Sequence, residues 1–156
     1  MSDQAEVSPG ITVDKDVRFG KPLIKGTRVE VEFVLARLAG GLTESAIRRQ
    51  YGVTREGVRA AIGYAAEIIA EERVTGPDGE EGPLELAPGI TASSRVRFGK
   101  PVLKGTRVDA ATVLQHLAAG DSPDVVAEAY NVPREGVLAA LGYAHKVVAS
   151  ETVSAF

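Results

Sequence analysis

Hydrophobic and polar residues follow two different periods within the first half of the chain. Between residues 11 and 31, short apolar stretches are interrupted by Gly20, Pro22 and Gly26, which is typical of short strands joined by turns. From about Glu30 onward, apolar residues recur every three or four positions, as they do on the buried face of a helix. The pattern therefore predicts a short β-hairpin followed by helices.

Capping residues divide the helical part into three segments. Two glycines at 40–41 are expected to end the first helix, and Thr43 is a suitable N-cap for a second, short helix through Tyr51. Thr54 is placed to cap a third helix that runs to about Glu72. A short helix, a tight turn and a longer helix form the arrangement of a helix-turn-helix motif, with Gly52 at the turn.

The whole pattern is present twice, at a constant offset of 79 residues. A constant offset over this span indicates one duplicated folded unit. The strings that return are PGIT at 9–12 and 88–91, VRFGKP at 17–22 and 96–101, KGTRV at 25–29 and 104–108, and REGV at 55–58 and 134–137. We therefore predict a mainly α protein with a short β-hairpin, built as two tandem helix-turn-helix-like (winged-helix-like) bundles of three to four helices. We expect a pseudo-two-fold axis to relate them.

Charge and composition separate the two repeats from a connector. Residues 1–74 and 89–156 are each close to neutral, whereas the segment 75–88 has four acidic residues and no basic one. Its sequence, TGPDGEEGPLELAP, is typical of an extended, solvated linker. The predicted units are thus a first repeat at 1–74, a linker at 75–88 and a second repeat at 89–156.

Composition also limits the class of protein. The chain is 44% hydrophobic and 25% charged, as expected for an ordinary globular protein. It contains no cysteine, which rules out disulfides and thiolate metal ligands. No stretch looks like a signal peptide or a membrane span, so we expect a cytoplasmic protein that does not bind membranes.

The strings RFGKPLIKGTRV and RFGKPVLKGTRV are the most distinctive in the chain. Together with the residues that follow them, they resemble the bacterial and archaeal family called domain of unknown function 433. The resemblance covers both repeats and implies a small domain with a β-hairpin and a helix-turn-helix-like bundle. Genes of this family often neighbour PIN-like ribonuclease toxins, which implies an antitoxin role. This chain differs by its two copies, and SSR at 93–95 replaces the DKD of residues 14–16.

Each repeat has a cluster of cations in its predicted hairpin, with no acid in the same segment. Uncompensated cations on such a hairpin are suited to phosphates or to an acidic partner surface. The alternative is that they are solvated or paired with glutamates on the helices. The candidates for partner or phosphate binding are Arg18, Lys21, Lys25 and Arg28 in the first repeat, and Arg97, Lys100, Lys104 and Arg107 in the second.

The helix-turn-helix segments differ in charge between the repeats. The first has four arginines and the second has one, so the first is the better suited to DNA phosphates. The alternative is a solvated amphipathic face. The candidate DNA-binding residues are Arg48, Arg49, Thr54, Arg55, Arg59 and Arg134.

Little in the sequence points to catalysis. The two histidines, His116 and His145, both lie in the second repeat and are replaced by other residue types in the first. Asp14 and Asp16 are close together but lack a third metal ligand nearby in sequence. We therefore predict no enzymatic activity, no cofactor and no metal site.

The leading interpretation is an antitoxin-like protein that neutralises a PIN-like ribonuclease and binds operator DNA as an autorepressor. Two alternatives stay open at this point. One is a DNA-binding transcriptional regulator without a toxin, and the other is an adaptor for protein assembly or self-association.

Overall fold

A computed structural model describes residues 4–76 and 82–151. Within them, each repeat is a three-stranded antiparallel sheet followed by three helices. The elements of the first repeat are β1 (Ala5–Ser8), β2 (Ile11–Val13), β3 (Leu23–Ile24), α1 (Val31–Ala39), α2 (Glu44–Tyr51) and α3 (Arg55–Ala70). Those of the second are β4 (Leu84–Ala87), β5 (Ile90–Ala92), β6 (Val102–Leu103), α4 (Ala110–Ala118), α5 (Pro123–Tyr130) and α6 (Arg134–Ala149).

The helices begin where their capping residues predict. Thr43 Oγ1 accepts a hydrogen bond from the backbone N–H of Ala46 at 3.1 Å, and Thr54 Oγ1 accepts one from that of Gly57 at 3.0 Å. Each bond satisfies an amide that has no partner within its own helix. Helix α2 ends at Gly52, whose φ of 67° is left-handed. The helical part of the sequence prediction is therefore confirmed.

The β part is larger than the predicted hairpin. Strand β2 lies between β1 and β3, with Ala5 opposite Val13 and Ile11 opposite Ile24. The expectation of one hairpin missed β1, because AEVS is short, lies at the edge of the sheet and has no buried residue. The fold is accordingly a mixed α/β fold with two similar halves.

The same omission affects the segment between the repeats. Its last residues form strand β4, which pairs with β5 as β1 pairs with β2. The predicted linker at 75–88 therefore includes a strand of the second sheet at its C-terminal end. Residues 77–81 of this segment lie outside the described residues.

One hydrophobic core runs through both repeats. Helix α1 packs against α6 and helix α3 packs against α4, so the contacts between the repeats are reciprocal. Small residues stand at both contacts. A Cβ atom added to Gly63 would lie 3.8 Å from the Cβ of Ala118, and one added to Gly142 would lie 4.0 Å from that of Ala39. The small residues at these positions let the helices approach closely.

Polar contacts also join the repeats. His145 Nδ1 lies 2.8 Å from the backbone carbonyl oxygen of Glu32 and donates to it, since a carbonyl accepts only. The hydroxyl of Tyr143 donates to Glu72 Oε1 at 3.0 Å.

No helix within the described ranges is both long enough and apolar enough to cross a bilayer.

Candidate partner-binding surface

A tight turn precedes the third strand of each sheet and has an unusual backbone. We call Arg18–Gly20 the first RFG turn and Arg97–Gly99 the second RFG turn. In the first, φ is 51° at Arg18 and 58° at Phe19, and in the second it is 49° at Arg97 and 60° at Phe98. Residues other than glycine seldom adopt left-handed backbone, and two in succession store strain of about 1–2 kcal/mol per residue. Backbone of this kind is concentrated at functional sites.

The strained backbone presents an aromatic ring to solvent. The side chain of Phe19 is 98% exposed and that of Phe98 is 76% exposed. Phenylalanine normally buries a large part of its surface, so a nearly free ring on a rigid turn is a typical binding anchor. Because both repeats have it, the chain has two such anchors.

Four of the eight cations that the sequence analysis selected in the two hairpin segments are paired with carboxylates. This corrects the expectation that they are uncompensated, since their partners lie on other elements of the same repeat. The pairs are Lys21 Nζ with Glu32 Oε1 at 2.6 Å, Lys25 Nζ with Glu6 Oε1 at 2.8 Å, Arg97 Nη2 with Asp109 Oδ2 at 3.0 Å, and Lys104 Nζ with Glu85 Oε2 at 3.8 Å.

Three of the paired groups have shifted pKa values. The hydrogen bond to Glu32 raises the pKa of Lys21, and the hydrogen bond to Asp109 raises that of Arg97. The hydrogen bond from Lys25 lowers the pKa of Glu6. The ion pairs therefore join the hairpin segments to β1 and β4, to the first turn of α1 and to the N-cap of α4.

The remaining four cations make no ion pair within residues 4–76 and 82–151. They are Arg18, Arg28, Lys100 and Arg107. They leave a positive charge beside each exposed phenylalanine. This set, rather than all eight, is the part of the predicted cluster that is available to an acidic group.

Three of the candidate DNA-binding arginines lie near a carboxylate of their own repeat. Arg55 Nε and Arg59 Nε lie 3.8 Å and 3.6 Å from Glu44 Oε1. Arg134 Nε lies 3.1 Å from Asp124 Oδ1 in the second repeat. Arg59 is also directed at the other repeat, because a Cβ added to Gly120 would come within 2.8 Å of its guanidinium carbon.

Helix α3 is buried along most of its length. Eight of its residues are buried, and they are Gly57, Val58, Ala61, Ile62, Tyr64, Ala65, Ala66 and Ile69. The helix packs against β2 and β3 on its own side and against α4 across the repeats. Its exposed residues are Arg55 and Glu56 at the start of the helix and Glu67 near its end. Thr54, the remaining candidate in this segment, uses its hydroxyl as the N-cap.

Helix α2 presents the other two candidate arginines. Arg48 and Arg49, together with Ser45 and the turn at 52–53, line a shallow surface depression. Neither arginine forms an ion pair with any described residue. This depression is the part of the helix-turn-helix segment that is best placed for a phosphate.

The histidines and the aspartates have structural contacts. His116 Nε2 lies 2.7 Å from the hydroxyl of Tyr130, and the equivalent Tyr51 hydroxyl accepts a bond from Arg37 Nε at 3.0 Å. Asp14 Oδ1 accepts a bond from the backbone N–H of Asp16 at 2.9 Å.

In the second repeat, Ser93 Oγ takes over the role of Asp14 and accepts from the backbone N–H of Arg95 at 3.2 Å. The described residues contain no group of three or more metal-ligating side chains.

A cavity of about 260 Å³ lies between the repeats. Its wall is mainly apolar and includes Leu38 and Ile62 from the first repeat and Leu117 and Leu141 from the second. Its size is below that of ordinary ligand pockets.

Comparison with known proteins gives a family but no activity. The family described as "Protein of unknown function (DUF433)" matches residues 11–65 and again residues 90–144, together more than half of the chain. The chain therefore belongs to this family and contains its domain twice. No curated protein and no solved structure matches it.

The match begins at β2 and β5 and ends within α3 and α6, so it includes both RFG turns. Sequence reasoning selected the cations of these turns but passed over Phe19 and Phe98. A phenylalanine between cations, glycine and proline is seldom buried. This local sequence could have indicated that Phe19 and Phe98 are exposed.

Proposed function

We propose that the chain is a non-enzymatic, antitoxin-like protein of the cytoplasm that neutralises a PIN-like ribonuclease. The two RFG turns are its binding surface. The observation that supports this proposal best is the 98% exposure of Phe19 on a turn with two successive left-handed residues. The ring of Phe19 gains almost no free energy from burial within its own chain, which supports a use in contacting a partner.

The chemistry around the ring fits a protein partner. Aromatic residues and arginines are the residue types that contribute most to protein interfaces. Arg18 and Arg28, which have no carboxylate partner within the described chain, would meet acidic groups at the rim of the partner's site. The active centres of metal-dependent nucleases are rich in carboxylates, and a nuclease inhibitor with exposed cations is complementary to them.

The relation between the repeats gives the proposed surface its arrangement. In our proposal the repeats are related by a pseudo-two-fold axis, as the reciprocal packing of α1 on α6 and α3 on α4 suggests. Each repeat is a winged-helix-like unit in which the RFG turn has the place of the wing. The two turns then form a pair that engages a symmetric partner at two points, which strengthens binding by avidity.

The direct test is binding of a PIN-like nuclease, taken from a neighbouring gene where one encodes it. Calorimetry should show complex formation with the full chain, and added chain should suppress the nuclease activity. The double variant Phe19→Ser with Phe98→Ser should bind at least about 30-fold more weakly, because anchor residues contribute about 2 kcal/mol or more. Its helical circular dichroism should be unchanged, since both rings are exposed.

Phe33→Ser is the matched control. Phe33 is an exposed phenylalanine on α1, outside both turns. We expect this variant to bind the nuclease as tightly as the original chain. Equal losses from Phe33→Ser and from the double variant would count against the turns as the surface. Absence of any complex with the nuclease would leave the adaptor and regulator alternatives.

A second function, binding of operator DNA, has one supporting observation of its own. Arg48 and Arg49 form no ion pair among the described residues and line one depression with Ser45. Contacts would be to phosphates through α2, because most of α3 is buried. Phosphate contacts position a protein on DNA and make its affinity depend on salt.

This function is tested by fluorescence anisotropy with the promoter DNA over a series of salt concentrations. Replacing Arg48 and Arg49 with Ser should reduce the slope of log affinity against log salt by about 1.8, or about 0.9 for each lost phosphate contact. Replacing Arg134, which is paired with Asp124, should reduce it by less. A slope that responds equally to both changes would refute an asymmetric DNA surface.

A further inference from the structure

A depression of about 260 Å³ lies against the sheet of the second repeat, and its walls are mainly apolar. It is distinct from the cavity between the repeats, because no described residue lines both. A cavity of about 150 Å³ is enough for a benzene molecule, so this depression is large enough for a compound with a single ring. The apolar walls come from Pro83, Val96 and Val102, and the polar side comes from Thr91, Ser93 and Arg107.

The polar side of the depression has one cation and no carboxylate among the described residues that line it. Arg107 is exposed at the rim, whereas Thr91 and Ser93 are buried, with 7% and 2% of their surface exposed. Ser93 Oγ accepts a hydrogen bond from the backbone N–H of Arg95 at 3.2 Å. A hydroxyl that accepts such a bond still has its own proton to donate. The polar side can therefore act as a set of donors, which is suited to an anion.

The backbone that presents Arg107 is already ordered. Thr106 Oγ1 donates to the carbonyl of Leu103 at 2.7 Å and accepts from the backbone N–H of Val108 at 3.0 Å. These two bonds fix the residues on either side of Arg107. A ligand at this place therefore orders one side chain and not the whole turn, which lowers the entropic cost of binding.

Two differences between the repeats affect this depression, and the first concerns Thr91. In the first repeat, Gln4 Nε2 donates to Thr12 Oγ1 at 3.1 Å. Seventy-nine residues later, Thr12 is again a threonine, Thr91, but Gln4 is replaced by Pro83. Proline has no side-chain donor, so the second repeat has lost the amide that bonds to this hydroxyl.

The second difference concerns charge. The position equivalent to Ser93 is Asp14, a buried carboxylate. Both side chains accept a hydrogen bond from the backbone N–H two residues later, so the local turn is the same. The net charge of residues 14–16 (DKD) is −1, whereas that of residues 93–95 (SSR) is +1. The second repeat has therefore kept the turn while it exchanged a negative charge for a positive one, which favours an anion there.

We infer that this depression is a binding site for a small organic anion, a carboxylate with an apolar body the size of one ring. The carboxylate pairs with the Arg107 guanidinium and accepts from the hydroxyls of Thr91 and Ser93. The apolar body packs against the apolar walls, in the usual combination of an apolar pocket with a few polar groups. The inference does not rest on the proposed function, since it requires no nuclease.

The site is tested by NMR titration of the full chain with benzoate as the probe, at constant ionic strength. We expect saturable shifts at the backbone amides of Thr91, Ser93 and Arg107. Benzamide has the same ring without the charge, and inorganic phosphate has the charge without the ring. Benzamide should bind at least about tenfold more weakly, because it loses the charge-assisted hydrogen bonds. Phosphate should also bind more weakly, because it has no apolar body.

Two substitutions test the polar side of the depression. Arg107→Gln should weaken benzoate binding by about three- to tenfold, the range for a charged partner at an exposed rim. Ser93→Asp should abolish saturable binding, because it places a carboxylate beside that of the probe. This variant should keep its fold, since aspartate makes the same turn at Asp14. Arg73→Gln, an equal loss of charge at an exposed residue that does not line the depression, should leave the affinity unchanged.

Three outcomes would overturn the inference. Equal affinities for benzoate and benzamide would mean that the site does not select an anion. Tighter binding of phosphate than of benzoate would mean that the apolar walls contribute nothing. Benzoate affinity that survives Ser93→Asp in a folded chain would place the probe elsewhere on the molecule, as would the absence of saturable shifts at the three amides.

Discussion

Tyr143 in helix α6 donates a hydrogen bond of 3.0 Å to Glu72, which follows helix α3 of the other repeat. The equivalent Tyr64 makes no hydrogen bond to any described residue through its hydroxyl, although Glu151 is near enough to influence it. The two repeats are therefore joined by polar contacts that differ from one side of the interface to the other.

Removing this hydrogen bond should destabilise the fused chain as a whole. We expect Tyr143→Phe to lower the free energy of unfolding by about 1.5–3 kcal/mol, the range for a hydrogen bond to a charged group. Tyr64→Phe is the control and should cost less at neutral pH. Urea denaturation followed by circular dichroism measures both. Equal costs for the two variants would show that the bond to Glu72 contributes nothing of its own.

The close approach of the helices gives a prediction in which two substitutions of one glycine have opposite effects. A Cβ at Gly63 would make ordinary contact with Ala118, at 3.8 Å. Gly63→Ala should therefore stabilise the protein by about 0.5–1 kcal/mol, since glycine weakens a helix interior. Gly63→Leu should destabilise it by about 1–3 kcal/mol, because there is no space for the longer side chain between α3 and α4.

Thermal and chemical denaturation distinguish these outcomes. Gly142→Ala, at the equivalent contact with Ala39, should reproduce the stabilising effect. A destabilising Gly63→Ala would mean that the helices are closer together than this structure has them.

The backbone N–H of Val74 donates to the carbonyl of Gly99 at 2.8 Å. This close contact should make Gly99 more sensitive to substitution than other glycines with the same backbone conformation. Gly99 and Gly105 have φ of 83° and 76°, but only the first has another backbone against it. Gly105→Ala should cost about 1–2 kcal/mol for left-handed backbone alone. Gly99→Ala should cost clearly more, because Val74 must also move. Denaturation of the two variants side by side measures the difference, and similar costs would argue against a tightly docked Val74.

Alkaline pH should weaken the fold through its buried tyrosines. Burial, with smaller effects from Glu151 and Glu67, raises the pKa of Tyr64 from 10 to about 12, and burial also raises the pKa of Tyr143. Below pH 10 Tyr64 and Tyr143 keep their protons in both the folded and the unfolded chain, so they do not lower the free energy of unfolding there. Between pH 10 and 12 the unfolded chain ionises first, and stability falls as pH rises.

The expected loss is about 1.4 kcal/mol per pH unit for each such tyrosine. Urea denaturation at pH 9, 10 and 11 measures it, with Tyr64→Phe as the comparison. The variant should lose stability less steeply than the original chain. Parallel pH profiles would show that Tyr64 ionises equally in the folded and unfolded chains.

The helices were predictable because their signals are local. Thr43, Thr54 and Gly52 each act within four residues of their own position, and a helix needs only a periodic apolar face between such residues. The edge strands β1 (AEVS) and β4 (LELA) could not be predicted in this way, because these segments become strands only by pairing with β2 and β5. Their own composition does not distinguish them from loop.

The candidate site was predictable in part for the same reason. The cations of the RFG turns are visible in the sequence, but their carboxylate partners lie 11 to 19 residues away on other elements. Nothing local shows that Lys25 reaches Glu6 on β1. The left-handed backbone at Phe19 also lacks a sequence signal, since that residue type disfavours it. The burial of α3 depends on α4, which belongs to the other repeat.

Fusion of the repeats allows their equivalent positions to differ. A dimer of identical chains changes both of its halves with every substitution, whereas this chain changes one. Tyr51 is held by Arg37 and its equivalent Tyr130 by His116, and the two exposed phenylalanines are exposed to different degrees. One half can thus keep an old contact while the other acquires a new one. A single gene supplies two unequal surfaces at a fixed one-to-one ratio, which separate subunits reach only by selecting heterodimers over homodimers.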